Sequence, residues 1–206
     1  MKKIMVLALC AAMAGLLAVN GTYALPDVPA FFANLVGVLG ETLGLPEYGG
    51  SVVDVKIVSG EPTGTIYPGA QASQLHNVKN QGTADVYFRY AVAVQYIPET
   101  WDKLDIQFDS VGYAVSQGWM DVMITGSPYK MKVFTYQTVL ADGDISSPVE
   151  MTVGMDDTMT MAEMNRYGSQ FIQMKVLAID VSAFKEYDAE AALALALPLE
   201  DGFNPF

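Results

Sequence analysis

The sequence predicts an all-β chain: a jelly-roll-like antiparallel β-sandwich with an apolar N-terminal arm before it and a short C-terminal helix after it. Three observations lead there. Residues Asp85 to Tyr96 alternate strictly, with Val86, Phe88, Tyr90, Val92, Val94 and Tyr96 on one face and Asp85, Tyr87, Arg89, Ala91, Ala93 and Gln95 on the other; a period of two is that of a strand with one oily face. Further short alternating stretches are separated by clusters of turn residues, the pattern of sandwiches and jelly rolls. Near the end, Asp188 to Leu197 is built from Ala and Leu behind a capping Asp and is followed by Pro198, which specifies one helix and its stop.

Taken in order, the chain opens with Lys2 and Lys3, an apolar run from Ile4 to Val19, and Asn20-Gly21-Thr22-Tyr23-Ala24. This is the basic, apolar, small-residue order of a secretory signal peptide over residues 1–24, with Thr22 and Ala24 at the minus-three and minus-one positions of the cleavage site. The apolar run is short for a membrane span, which needs about 20 residues. Cleavage after Ala24 removes the only cysteine, Cys10, and two lysines, so the net charge of −12 becomes more negative by two. The remaining chain is about 48% apolar, an ordinary globular value, and long enough to be stable without disulfides.

Residues 25–48 form the arm. Phe31, Leu35, Val38, Leu39 and Thr42 follow helical spacing, with Pro29 at a helix start and Gly44 at its stop. Phe32, Val36 and Val38 against Asn34 also read as one face of a strand, and periodicity alone leaves both readings open. The arm either packs on its own domain as a helix or reaches a neighbouring subunit.

Residues 49–206 are read as the sandwich domain. Strands are expected at Ser51–Ser59, where Val53, Val55 and Ile57 alternate with Asp54 and Lys56, and at Leu75–Lys79, Asp85–Tyr96, Leu104–Phe108, Gly118–Thr125, Lys130–Val139, Val149–Val153 and Gln170–Val181. Turns are expected at Tyr67-Pro68-Gly69, Asn80-Gln81-Gly82, Gly126-Ser127-Pro128 and Asp142-Gly143-Asp144. Thr158–Tyr167 reads as a short helical insertion, and the C-terminal helix spans residues 188–197.

Charge and composition narrow the chemistry. With 11 Lys+Arg against 23 Asp+Glu, the chain lacks the positive charge that phosphate backbones require, so no nucleic-acid partner is expected. One His and one Cys are too few for zinc sites dominated by those ligands. His76 is the lone imidazole, no His-Glu-x-x-His is present, and the residue reads as structural or surface. Nucleophilic triads fail for the same reason, so no catalytic residue and no cofactor is assigned. Asp142-Gly143-Asp144 and Asp156-Asp157 offer oxygens to calcium, but neither has the length of a dedicated calcium loop, and turn chemistry accounts for both. No metal site is assigned.

Several stretches are similar to one family. Gly21-Thr22-Tyr23-Ala24 resembles the signal ending of exported proteins processed by the SipW-type signal peptidase. Ile66-Tyr67-Pro68-Gly69 and His76-Asn77-Val78-Lys79-Asn80-Gln81-Gly82-Thr83-Ala84-Asp85-Val86-Tyr87-Phe88-Arg89 resemble its "PG…V-N-x-G-x-x-x-A/V-Y-(V/F)-R" stretch. Leu140-Ala141-Asp142-Gly143-Asp144 resembles its "L-x-P-G-E/D" turn, with Asp142 for the usual Pro, and Val176-Leu177-Ala178-Ile179-Asp180 its "A-x-A-I/V-Q" strand, with Asp180 for the usual Gln. The Phe-containing segment usual straight after the cleavage site is displaced to Phe31-Phe32.

These stretches resemble the TasA/camelysin family of secreted matrix and surface proteins. The resemblance implies a jelly-roll sandwich, a secreted, extracellular or cell-surface location, and self-association into filaments of a fibre, biofilm matrix or surface layer through an N-terminal strand donated to the next subunit. The assembly residues would then be Phe31, Phe32, Leu35 and Val38. The implied partners are further copies, other matrix or cell-surface proteins, and signal peptidase during export. Camelysin-like metalloendopeptidase activity finds no ligand set in the residues; a monomeric surface adhesion or binding module is the other reading.

Overall fold

The computed structural model describes residues 51–167, 171–200 and 203–206. The signal peptide with Thr22 and Ala24, and the arm with Phe31, Phe32, Leu35 and Val38, lie outside the described residues. The described residues form nine strands in order: β1 Val55–Ser59, β2 Thr63–Gly64, β3 Gln71–Asn80, β4 Val86–Gln95, β5 Leu104–Ser110, β6 Tyr113–Ile124, β7 Ser127–Tyr136, β8 Val149–Met155 and β9 Ile172–Asp180. Among the described residues the helices are α1 Met161–Met164 and α2 Ala189–Ala196, with 3-10 turns at Trp101–Lys103 and Val181–Phe184.

The strands form two antiparallel sheets packed face to face. One has the order β1-β3-β8-β5, with β2 continuing β1's side of β3; the other has the order β6-β7-β4-β9. Strands distant in sequence are neighbours: β3 lies beside β8 and β4 beside β9. This interleaving of early and late strands makes the sandwich jelly-roll-like. Between the sheets the core is built from the inward face of β4 (Val86, Phe88, Tyr90, Val92, Val94) with Val78, Phe134, Val149, Met151 and Val153. Fully burying each large apolar side chain contributes about 1.5–3 kcal/mol.

The turns follow the chemistry of their residues. Ala70 N–H donates to Tyr67 O at 3.0 Å across Pro68 and Gly69, and Gly69 has φ +77°, a type II arrangement. Asp144 N–H donates to Ala141 O at 3.1 Å, with Gly143 at φ +76° in the same position. The β6–β7 hairpin closes through two residues, Thr125 and Gly126, between the paired Ile124 and Ser127; both have positive φ, the primed turn that fits strand twist.

Some expectations need correction. The first strand starts at Val55 rather than Ser51, the second at Gln71 rather than Leu75, and β6 at Tyr113 rather than Gly118; β2 was not expected at all. The early part of β6 escapes the pattern because its register shifts between Val115 and Gln117 and again between Gln117 and Met120, which breaks the period of two. The alternation of β4 suggests one oily face, yet Val86 through Val94 are all buried. A third layer covers the supposed solvent face: α2 lies over Tyr87, Leu177 and Ile179, and the C-terminal Leu199, Phe203 and Phe206 lie over Ala91, Ala93, Met131 and Val133. The helices agree with expectation, with Asp188 Oδ1 accepting from Ala191 N–H at 2.8 Å as N-cap of α2. Thr160 and Glu163 form a capping box at α1.

Candidate assembly cleft

On one side of the sandwich two strands end their sheets: β1 in one and β9 in the other. Hydrogen-bonded positions alternate along an antiparallel pair. Gln95 N–H donates to Phe171 O and Val181 N–H to Asp85 O, so the odd-numbered residues of β9 turn their backbone groups toward β4. The N–H and C=O groups of Ile172, Met174, Val176 and Ala178 therefore face the outer edge. By the same logic, Gly60 N–H to Leu75 O and Gln81 N–H to Asp54 O leave Val55, Ile57 and Ser59 facing outward from β1. No described strand pairs with either outer edge.

The residues whose backbone faces outward send their side chains inward, so the same positions offer main-chain groups and line the space between the sheets. That space opens toward the Ile172 end of β9 as a cleft of about 450 Å³, lined by Ile57, Ile66, Met151, Val153, Ile172 and Met174. At the other end the edges are tied: Ser51 Oγ donates to Asp180 Oδ2 at 2.8 Å. The described chain therefore begins beside the last residue of β9.

One imidazole lines this cleft, together with Ser59, Ser73 and Gln74. His76 stands opposite Ser59 in the β1–β3 register, and its Nδ1 is 2.9 Å from Ser59 Oγ. The side chain is 2% exposed, and its other ring nitrogen, Nε2, is buried with no hydrogen-bond partner. Burial lowers the pKa of the imidazole from its ordinary value, which favours the neutral ring. Beneath it lies Tyr90, stacked at 6.4 Å between ring centroids, whose hydroxyl donates to Met174 Sδ at 2.9 Å. His76, expected on a strand or its edge, is thus buried at the seam of the two sheets; its sequence neighbours carry no sign of this.

The stretches singled out in the sequence meet in space as structure. Asn80 Nδ2 donates to Ala84 O at 2.7 Å, Leu140 O at 3.2 Å and Ala141 O at 3.1 Å, while its Oδ1 accepts from Gly82 N–H at 3.0 Å. One buried side chain joins the β3–β4 turn to the loop after β7. Asp142 N–H, which a Pro would lack, donates to Asp85 Oδ1 at 3.2 Å. Asp180 Oδ1 accepts from Ser182 N–H at 2.7 Å and caps the turn after β9.

The expected calcium-type carboxylates behave as turn residues. The Thr158 side chain, and then the Thr158 N–H that donates to Asp156 Oδ1 at 2.8 Å, hold the Asp156 carboxyl below the usual range. Among the described residues no group of three or more His, Cys, Asp or Glu side chains is placed to hold a metal ion. On the opposite side of the sandwich, Tyr96, Trp101, Trp119 and Phe108 form a row of ring contacts, Trp101 and Trp119 being perpendicular at 5.7 Å. Lys132 Nζ sits 5.4 Å from the Phe108 centroid and 5.7 Å from that of Trp119.

No family model matches the chain, and no curated protein matches it in sequence. Among solved structures it is similar to a family 3b carbohydrate-binding module from the biomass sensoring system of Clostridium clariflavum, at 15% identity over 61% of this chain and 91% of that one, with a TM-score of 0.31. No helix among the described residues is long and apolar enough to cross a membrane. What the described residues show is an antiparallel two-sheet sandwich with a short C-terminal helix.

Proposed function

We propose that this chain is a secreted structural subunit of an extracellular fibre, biofilm matrix or surface layer, in which residues 25–48 of one copy add as a strand to the open side of the next. The observation that carries the reading is the cleft between β1 and β9, where two unpaired sheet edges flank a space lined by Ile57, Ile66, Ile172 and Met174 together with Ser59, Ser73, Gln74 and His76. An exposed edge is a template for a further strand, with main-chain hydrogen bonds supplying affinity and alternate side chains specificity. The arm supplies a matching ligand, since Phe31, Phe32, Leu35 and Val38 lie in a stretch without charge between Asp27 and Glu41. The resemblance to secreted matrix proteins supports the same reading.

Sedimentation velocity and electron microscopy of the secreted chain test it. The chain should polymerise with concentration, and deletion of residues 25–48 should leave a folded monomer. A chain that stays monodisperse, with the deletion changing nothing, would refute strand donation. A second reading, a monomeric surface binding module, is favoured by the aromatic row, where Trp119 is 37% exposed. Retention on insoluble polysaccharide, lost on Trp119→Ala, would support that module.

A further inference from the structure

The arm is apolar on both faces, so burial of apolar area alone does not decide which face enters the cleft. In an extended arm, Phe31, Ala33, Leu35, Gly37 and Leu39 share one side and Phe32, Asn34, Val36 and Val38 the other. A slip of one residue exchanges them. Between Asp27 and Glu41 the only polar side chain is Asn34. The cleft has a matching singularity: its buried, unpartnered polar atom is His76 Nε2.

We propose that Asn34 of the arm of a second copy hydrogen-bonds His76 Nε2, and that this one polar contact fixes the face and register of the added strand. The inference rests on the cleft being the seat of a donated arm. An amide suits the site because it carries both a C=O acceptor and an NH₂ donor. If the Ser59 hydroxyl donates to Nδ1, then Nε2–H donates to Asn34 Oδ1; in the other tautomer, Asn34 Nδ2 donates to Nε2. With Asn34 inward, Phe32, Val36 and Val38 meet Ile57, Ile172 and Met174. With the odd-numbered face inward, Nε2 stays unsatisfied and Asn34 faces away. A buried polar atom without a partner is costly, so the two registers separate in energy. Chain length permits the contact: Asn34 lies 17 positions before Ser51, which is tied to Asp180 at one end of the cleft.

Disulfide trapping reads the register. In a Cys10→Ser background, Asn34→Cys with His76→Cys should cross-link between chains about tenfold or more faster than Ala33→Cys or Leu35→Cys with His76→Cys, because adjacent strand residues point to opposite faces. Faster bonding at 33 or 35 would overturn the pin and leave donation standing. Bonding at 34 within one chain would keep the pairing and overturn donation between copies. Bonding at none of the three positions, in a chain that still polymerises, would overturn the pin; in one that does not, it would overturn donation as well.

A readout that keeps the histidine guards against misfolding of the cysteine variants. His76 is the only imidazole in the chain, so ¹⁵N-histidine labelling gives one ring system. Assembly of the unmodified chain should shift Nε2, and Asn34→Leu should abolish that shift and weaken association by about tenfold, the loss expected from one unsatisfied buried nitrogen. A ring signal identical in the two chains would refute the pairing.

Discussion

Arg89 Nη1, in the middle of β4, donates to the carbonyl oxygen of Leu197, the residue that ends α2. A helix terminus leaves its last carbonyls unsatisfied, and a cation there also complements the helix dipole. Arg89 is 3% exposed, so its stem packs under the helix while its head closes the helix end. Together with Tyr87 Oη, which donates to Tyr187 O at 3.1 Å, it fastens the third layer to the sheet. Arg89→Ala should cost about 2–4 kcal/mol in urea unfolding, from lost packing and an unpaired buried carbonyl. Arg89→Met, which keeps the stem, should cost clearly less. Equal losses would show that packing is irrelevant at this position.

The β6–β7 turn carries a residue at odds with its backbone. Thr125 has φ +48°, a region disfavoured for β-branched side chains, and it precedes Gly126 in a two-residue turn that suits Asn-Gly. Thr125→Asn should stabilise the protein by about 0.5–1 kcal/mol, measured as a rise in urea midpoint with unchanged slope.

Gly82 faces backbone. A Cβ at this position would collide with the carbonyl oxygen of Val52 and lie 2.7 Å from Asp54 N. Gly82 N–H itself donates to Asp54 O at 3.0 Å, and Thr83 N–H to Val52 O at 2.9 Å. Gly82→Ala should therefore detach residues 51–54, at a cost of about 2 kcal/mol or more. Hydrogen exchange should show the amides around residues 52–54 losing protection before the core strands do.

The buried imidazole makes stability depend on pH. Its folded pKa lies below the unfolded value of about 6.5, so between the two the unfolded chain binds more protons and is favoured. Stability from this residue is complete above the unfolded pKa and is lost as pH falls through the folded one. The urea midpoint should fall between about pH 7.5 and about pH 5 more in the unmodified chain than in His76→Gln. An identical fall in both would place the titration elsewhere.

Much of the fold is legible in the sequence where one rule acts alone. The alternation from Val86 to Val94, the Pro68-Gly69 and Gly143 turns, and the Asp188 cap each reflect local chemistry that tertiary contacts do not overrule. The rest depends on distant chain. Arg89, Ala91 and Ala93 read as a solvent face because a charge and small residues break the oily pattern; only the helix and tail from the C-terminus bury them. The irregular β6 hides behind its bulges. His76 gives no local hint of burial, since its neighbours Leu75 and Asn77 are exposed and half-buried, as an outward face requires. The free edges are invisible in sequence because they are defined by pairings that β1 and β9 on one side, and β5 and β6 on the other, do not make.

Amide hydrogen exchange along β9 tests strand donation most directly. In the assembled full chain the amides of Ile172, Met174, Val176 and Ala178 should be strongly protected, and in the chain lacking residues 25–48 they should exchange freely while Leu177 and Ile179, bonded to β4, stay protected. If the four exchange freely in the assembled chain, or are equally protected after the deletion, the edge of β9 does not receive the arm.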